Sequence, residues 1–455
     1  MEVFGSSGVR GIALEELTPA DVLAVAQAAG AVYRDRFDAT RVAVGRDTRL
    51  SGELFATAVS SGVMSTGCAV DDIGICPTPT VQSYCGREGI PGIIVTASHN
   101  PPEYNGIKLC GPDGVELTRD TIDTVESQLD EKPALTGWRS SGSVTQVDNA
   151  RRRYRDEVLT AVDRDNIATA DLTVVVDPGH GAGSLTSPDL FRKLGCTVKT
   201  LNGQPDGRFP GRDPEPVAEN LAELCRAVRT SDADLGIAHD GDADRAMFVD
   251  ETGSLIDGDA ALAALTAAEL SPEDTVVSAV NASQVLVDAV TDAGASLELT
   301  PIGSTYIITA IRELLADGET IPIAGEGNGG IIFPGFRIAR DGAYTAARFC
   351  ELLTERTASE VVEPFNGYDK VRHDLSYRSD AERQQMIQAI EETAETADVP
   401  VETTDGYRLD YGDGWVLARP SGTEPVIRVY AEARESARAN ELADSLVSAI
   451  TQTVE

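Results

Sequence analysis

Two periods of apolar and polar positions alternate along this chain, and the switch between them repeats. Residues 41–44 are a short, mostly apolar run, Gly45-Arg46-Asp47-Thr48-Arg49 is a turn, and positions from Ser51 onward take helical spacing. Residues 172–176, the turn Asp177-Pro178-Gly179-His180-Gly181-Ala182-Gly183 and residues 185–194 repeat that order. Residues 275–280, Asn281-Ala282-Ser283 and residues 284–293 repeat it again. Short β-branched runs predict buried strands, and the 3.6-residue period after each turn predicts a helix. Three such units at wide spacing predict three α/β domains of similar build. The repeat is one of pattern and not of residue identity. Near the start, Thr18-Pro19-Ala20-Asp21 predicts a helix, with Thr18 as its cap and Pro19 in its first turn.

After about residue 366 the pattern changes to a strand, a long helix over 381–396, further strands and a final helix from Ser436. That order predicts an α+β domain. Shifts in composition place domain boundaries at 1–150, 151–250, 251–366 and 367–455. The full 455 residues exceed what one core supports, and 42% apolar composition supplies several ordinary ones. No apolar run reaches the length of a membrane span, and the N-terminus lacks the basic-then-apolar order of a signal peptide. A cytoplasmic protein is expected. The seven cysteines show no CxxC pair, which suits reduced, buried thiols. The scattered histidines His99, His180, His239 and His373 argue against a zinc site.

Charge adds a different constraint. The formal net charge is -36, and the lysines are confined to positions 108, 132, 193, 199 and 370. Such a surface repels nucleic acid and anionic membranes, so neither is an expected partner. It matches a salt-adapted protein, because at about 1 M salt the Debye length is roughly 3 Å and self-repulsion is screened.

Four loops carry candidate chemistry. Residues 92–95 read as a buried strand that ends in Thr96-Ala97-Ser98-His99-Asn100-Pro101-Pro102. The two prolines stiffen this loop, and Ser98 sits at the carboxyl end of a strand, where α/β sheets place ligands. Serine needs help to act as a nucleophile, and His99 and Lys108 are the neighbours in sequence. Asp240-Gly241-Asp242-Ala243-Asp244-Arg245 lies between two predicted strands. Alternation turns Asp240, Asp242 and Asp244 to one point, where hard oxygen ligands suit Mg²⁺. Gly325-Glu326-Gly327-Asn328-Gly329-Gly330 offers a carboxylate and an amide that can hold adjacent sugar hydroxyls. Arg419-Pro420-Ser421-Gly422-Thr423-Glu424-Pro425, followed by Arg428 on a strand, has the donors of a phosphate cradle. Each loop also has a plainer reading as a solvated or structural turn.

Together, in this order, the four loops resemble the signature loops of the α-D-phosphohexomutase superfamily, and the acidic surface matches an archaeal, salt-adapted branch. Gly8-Val9-Arg10-Gly11 and the Gly45–Arg49 turn fit as well. The resemblance implies an α/β fold of four domains around a central cleft, three alike and the fourth α+β. It implies a reversible 1-to-6 phosphoryl shift on a hexose phosphate, through a phosphoserine and a hexose 1,6-bisphosphate that serves as primer and intermediate. It assigns Ser98 to the phosphoryl group and Asp240, Asp242 and Asp244, with Ser98, to Mg²⁺. Glu326, Asn328 and Gly303 fall at the sugar, and Arg419, Ser421, Gly422, Thr423 and Arg428 at the distal phosphate. Arg10, His99 and Arg245 join Lys108 in the catalytic group. Lys108 is the expected base, with its pKa lowered by Arg10.

Gly330 and Ser304 stand where some members carry an acid–base side chain. The opening Phe4-Gly5-Ser6-Ser7-Gly8-Val9-Arg10-Gly11 and the stretch 101–108 lean toward phosphoglucosamine mutases, with phosphomannomutase/phosphoglucomutase as the alternative. A non-catalytic sugar-phosphate sensor and a phosphatase using Asp240 are readings of other classes. A monomer or a homodimer is expected.

Overall fold

The structure, a computed structural model, describes residues 8–421 and 425–452. Four sheets follow one another along the chain. The first has six strands in the order Val9–Ile12, Tyr104–Cys110, Gly92–Val95, Arg41–Arg46, Ala69–Ile75, Val144–Gln146. The second runs Met247–Asp250, Leu235–Ala238, Thr173–Asp177, Thr197–Thr200. The third runs Ser296–Thr300, Thr275–Ala279, Ala324–Glu326, Gly330–Phe333, Arg337–Arg340. In each, the strand of the repeating unit pairs in parallel with the strand that follows its helix. The fourth sheet is antiparallel throughout and packs on the helices Asp380–Thr396 and Ser436–Thr451. The three α/β units and the different C-terminal one are therefore as expected.

Local signals explain most element ends. Thr18 and Asp21 form a reciprocal capping box at the helix Pro19–Phe37. The helix expected over 185–194 splits into the 3₁₀ turn Ala182–Leu185 and the helix Ser187–Lys193, with Pro188 in its first turn. The third-sheet strand that leads into the Glu326 stretch covers Ala324–Glu326. Pro322 has no N–H to give a ladder, so pairing starts beyond it. Glu326 thus ends a strand and does not float in a loop.

One apolar core serves both the second and third α/β units. It joins Val174, Val176, Phe191, Ile237 and Phe248 to Leu262, Val276, Ile331 and Phe349. Phe248 and Phe349 stack across that seam with centroids 4.3 Å apart. The fourth domain docks on the third through Arg408, which donates to the carbonyls of Val280 (2.7 Å) and Ala282 (3.0 Å). Every cysteine is free. Among the described residues no helix is long and apolar enough to cross a membrane.

The surface carries most of the -36 charge. Withdrawing salt removes its screening, and moving from molar to low-millimolar KCl is expected to lower Tm by on the order of 10 °C. Thermal melts across a KCl series check this; an unchanged Tm refutes it.

Candidate functional site

The strand Gly92–Val95 is buried at every position and delivers the chain into the Ser98 loop. Thr96 organises the turn: its Oγ donates to Asp47 Oδ2 (2.6 Å) and accepts from the Ser98 N–H (2.8 Å). Ser98 is fully buried and has φ 51°. A left-handed conformation costs a non-glycine residue about 1–2 kcal/mol, so the surroundings must hold it. Arg49 does much of that holding. It pairs with Asp47 at 3.0 Å and donates to the carbonyls of Ser98 (2.9 Å), Asn100 (2.6 Å), Tyr104 (2.8 Å) and Pro101. The carbonyls of Ser98, Asn100 and Pro101 lie outside any strand, and one buried guanidinium satisfies them.

From this loop Ser98 Oγ donates to Asp240 Oδ2 at 2.7 Å, across the boundary between the first two sheets. Asp240, Asp242 and Asp244 are all buried, with ligand oxygens within 4.8 Å of one another. Burial and the neighbouring Asp244 and Asp242 push the Asp240 carboxyl well above its ordinary pKa. The other two go the opposite way. Burial and Asp244 oppose ionisation of Asp242, yet Lys108 and Thr78 overcome them and lower its pKa. Burial likewise opposes ionisation of Asp244, and Arg340, Lys108 and Arg245 hold its pKa far below the carboxylate range.

The hydrogen bonds are one-sided. Asp242 Oδ2 accepts from Lys108 Nζ (2.9 Å) and Thr78 Oγ (2.6 Å). Asp244 Oδ2 accepts from Lys108 Nζ (2.9 Å) and Arg340 Nη2 (2.8 Å). The second oxygens, Asp242 Oδ1 and Asp244 Oδ1, are buried and have no hydrogen-bond partner among the described residues. Buried acceptors without donors are costly. Three carboxylates clustered within 4.8 Å fit a hard divalent cation of the Mg²⁺ type.

Donors without acceptors lie nearby. Arg10 donates from Nη1 to Asn100 Oδ1 at 2.7 Å, and Arg245 from Nη2 to His99 Nδ1 at 3.0 Å. The Nε of each is buried and has no partner among the described residues. Two such N–H donors, on arginines bound to the two residues after Ser98, suit an anion such as a phosphoryl group. Burial pushes Arg10 down to about 10, against the pull of Asp242 and with Arg245 adding to the fall. Arg245, burial and Arg10 push the His99 imidazole far below its ordinary value, so it stays neutral while Nδ1 accepts from Arg245.

Lys108 departs from the sequence expectation. Its pKa is raised and not lowered: burial works against the ammonium, but Asp242 and Asp244 outweigh it. Arg10 was expected to dominate, but two carboxylates at 2.9 Å do.

Glu326 is half-buried at its strand end, and exposed Asn328 accepts the Gly330 N–H at 3.0 Å through Oδ1. Gly330 is glycine for steric reasons: a Cβ there would lie 2.7 Å from Arg340 Cδ. Gly303 caps the helix Ser304–Ala316, and Ser304 Oγ donates to Glu116 Oε2 of the first domain at 3.2 Å. Arg419 and Arg428 lie directly opposite each other on the fourth sheet. Asp405 sits 2.9 Å from Arg419 Nε, and Asp374 sits 3.9 Å from Arg428 Nε. The Ser421 N–H donates to Val426 O at 2.8 Å. Gly422 and Thr423, like Phe4 to Ser7 of the opening stretch, lie outside the described residues.

The structure thus brings Ser98, His99, Lys108, Arg10, Arg245 and the three aspartates into one cluster. Glu326 pairs in the ladder with Gly330, where a Cβ would lie against Arg340, the arginine bonded to Asp244, and the arginine pair sits on a separate sheet. A cavity of about 820 Å³ between Gln82, Arg153 and Arg337 includes none of the candidate residues. Sequence reasoning assigned no role to Thr78, Arg340 or the Arg49 side chain. The available signal was an arginine or threonine at or shortly after a strand end, which is too common to single out.

Family models describing phosphoglucomutase/phosphomannomutase match the chain in four consecutive segments. They are α/β/α domain I over residues 1–135, domain II over 152–253, domain III over 257–368, and the C-terminal domain over 377–449. The chain is 40% identical to "Phosphoglucomutase/phosphomannomutase" of Thermococcus kodakarensis, covering 97% of this chain and 96% of that one. It is 39% identical to "Probable phosphoglucosamine mutase" of Methanopyrus kandleri, over 99% and 98%. A solved phosphoglucomutase/phosphomannomutase family protein of Burkholderia thailandensis superposes with a TM-score of 0.86 at 28% identity, covering 99% of this chain and 97% of that one.

Proposed function

The chain belongs to the phosphoglucomutase/phosphomannomutase family and is a phosphohexomutase, and we propose that it works through a phosphoserine at Ser98 and a hexose 1,6-bisphosphate. The observation that carries this reading is the Ser98 hydroxyl bonded at 2.7 Å to one of three clustered, buried aspartates, on a loop whose His99 and Asn100 accept from Arg245 and Arg10.

The chemistry follows from that arrangement. A hydroxyl oxygen of the hexose monophosphate attacks the phosphorus on Ser98, the Oγ–P bond breaks, and the bisphosphate forms. The intermediate turns over, and its other phosphate returns to Ser98 Oγ. Both transfers need in-line placement and neutralised oxygens. Arg10 Nε and Arg245 Nε are free to donate to the transferring group, and His99 orients Arg245. Lys108 Nζ, 2.9 Å from both Asp242 and Asp244, is the group we assign to carry the proton between hydroxyl and Oγ. Asp240, Asp242 and Asp244 would hold Mg²⁺, which when bound would supply Lewis-acid charge for the transfer and offset the carboxylate charge around Lys108. Glu326 and Asn328 hold sugar hydroxyls.

Arg419 and Arg428 grip the phosphate not being transferred, with Ser421, Gly422 and Thr423 alongside. Like charges opposed on adjacent strands favour an anion between them. That grip is equal in ground and transition states, so its loss appears first in binding. Arg419→Ala is expected to raise KM by about tenfold or more, from one charged hydrogen-bonding partner lost, and to release free bisphosphate. Steady-state kinetics with a bisphosphate assay check this; normal KM without leakage makes the loop a structural turn.

For the hexose, phosphoglucosamine is the preferred reading, since the opening loop leans that way and the Methanopyrus relative carries that name. The deciding experiment assays glucosamine, glucose, mannose and N-acetylglucosamine 6-phosphates in molar KCl with a bisphosphate primer. Isomerisation supports the proposal. Phosphate release alone, or binding without turnover, overturns it in favour of a phosphatase or a sensor.

A further inference from the structure

Arg340 closes the strand Arg337–Arg340 of the third domain, yet its guanidinium reaches a carboxylate of the second. It is buried, and Nη2 donates to Asp244 Oδ2 at 2.8 Å. Its placement is fixed from two sides. On one side, the residues after it are keyed to the aspartate loop. The Gly342 N–H donates to Ala243 O at 3.3 Å, and a Cβ on Gly342 would fall 2.2 Å from Arg245 O. On the other side, the Arg340 stem lies against Gly330, where a Cβ would fall 2.7 Å from Cδ. Gly330 pairs with Glu326 in the adjoining ladder, and Arg340 pairs with Ile332 in the next. Glu326, Gly330, Arg340 and Asp244 therefore form one continuous path from the sugar loop to the aspartate loop. The charges agree with it: burial disfavours the guanidinium, and Asp244, Glu116, Glu326 and Asp242 offset that in turn.

An arginine that only neutralised Asp244 would not need this path. Lys108 already shares the same Oδ2 atom. Because Lys108 and Arg340 both occupy Oδ2, the Asp244 carboxylate is rotated with Oδ1 left unpartnered. When Lys108 moves to serve proton transfer, Arg340 is the remaining side chain that bonds Oδ2. A planar fork held by packing suits that task, since its orientation is set before any ligand arrives.

We propose that Arg340 is a positioning residue that fixes the Asp244 carboxylate for a divalent cation and registers the sugar loop against the aspartate loop. The inference rests on the reading of Asp240, Asp242 and Asp244 as a cation site. Two consequences follow. Removing the guanidinium weakens cation binding although Arg340 is not itself a ligand. Crowding Gly330, on the sugar loop, weakens cation binding through Arg340.

The test titrates Mn²⁺ by calorimetry against the full chain in molar KCl, using Arg340→Met, Arg340→Lys, Gly330→Ala and the Arg340→Met/Gly330→Ala double variant. Arg340→Met is expected to raise the Mn²⁺ Kd by about 10-fold or more, because the lost orientation of Asp244 outweighs the relief of repulsion between guanidinium and cation, as for other residues that orient metal ligands. Arg340→Lys keeps the charge and is expected to recover part of that loss. Gly330→Ala is expected to raise Kd by at least about threefold, with no further loss in the double variant, because both act through one contact. In turnover, Arg340→Met is expected to lower kcat while KM stays within about threefold, the pattern of an interaction expressed in the transition state. Gly330→Ala leaves every charge in place, so it keeps the proposal testable even where Arg340→Met does not fold. An unchanged Mn²⁺ Kd in Gly330→Ala, or additive losses in the double variant, overturns the proposal. A lowered Tm in Arg340→Met with intact Mn²⁺ affinity also overturns it, leaving a structural ion pair. A wild-type protein that binds Mn²⁺ but isomerises no hexose phosphate refutes the proposed function and leaves the Arg340 assignment standing.

Discussion

Ser98→Ala is expected to remove turnover by on the order of 10⁴-fold or more, as loss of a covalent nucleophile does elsewhere. The effect is expected to be chemical and not structural. The Ser98 side chain makes one hydrogen bond, to Asp240 Oδ2, while the loop is held by groups that the substitution leaves alone. Arg49 still binds the carbonyls of Ser98 and Asn100, and Thr96 still accepts the residue 98 N–H. Alanine meets the same left-handed φ of 51° as serine, so backbone strain changes little. Intact-mass spectrometry should show a phosphate on the wild-type chain, after incubation with a hexose 1,6-bisphosphate, that the variant never takes up. The melting temperature should shift by only a few degrees. Turnover near the wild-type rate, or a phosphate retained at the same stoichiometry, would remove Ser98 from the mechanism.

The second large effect concerns Lys108. Its ammonium lies 2.9 Å from both Asp242 and Asp244, with all three side chains nearly inaccessible. Lys108→Met preserves stem volume and removes the charge, leaving buried carboxylates underpaired. Breaking a buried ion pair from one side costs about 3–5 kcal/mol. A divalent cation on the same carboxylates supplies the missing positive charge, so the loss should be large in EDTA and partly recovered in Mg²⁺. The variant is therefore expected to gain more Tm from Mg²⁺ than the wild type does. Turnover is expected to fall by about 10³-fold even with Mg²⁺ present, since proton transfer typically contributes 10²–10⁴. Thermal melts in EDTA and in Mg²⁺, beside single-turnover kinetics, separate the two contributions. Equal Mg²⁺ responses in variant and wild type would mean that Lys108 does not share the cation's carboxylates.

The pairing also explains why the sequence misjudged this lysine. The family resemblance suggested a positive neighbour such as Arg10. In the structure, Arg10 is turned to Asn100, and the two aspartates, more than 130 residues downstream in sequence, set the charge of Lys108. Motif order carries no information about which oppositely charged groups face each other across a domain boundary.

Sequence by itself determined the strand–turn–helix units, the change to an α+β domain after the third of them, and the alternation that brings three aspartates together. These are local matters. A β-branched run, a cap such as Thr18 with Asp21, and a two-residue period act within a few residues, and the chain encodes them directly. Only the tertiary structure decided how Arg49 clamps the serine loop, why Gly330 must be small, and how Arg340 reaches Asp244 from another domain. It also merged the second and third units around one core, through Phe248 and Phe349. Each of these depends on burial and on the meeting of residues far apart in sequence. Removing charges and backbone groups from water makes such pairings strong, and the fold alone fixes which groups meet.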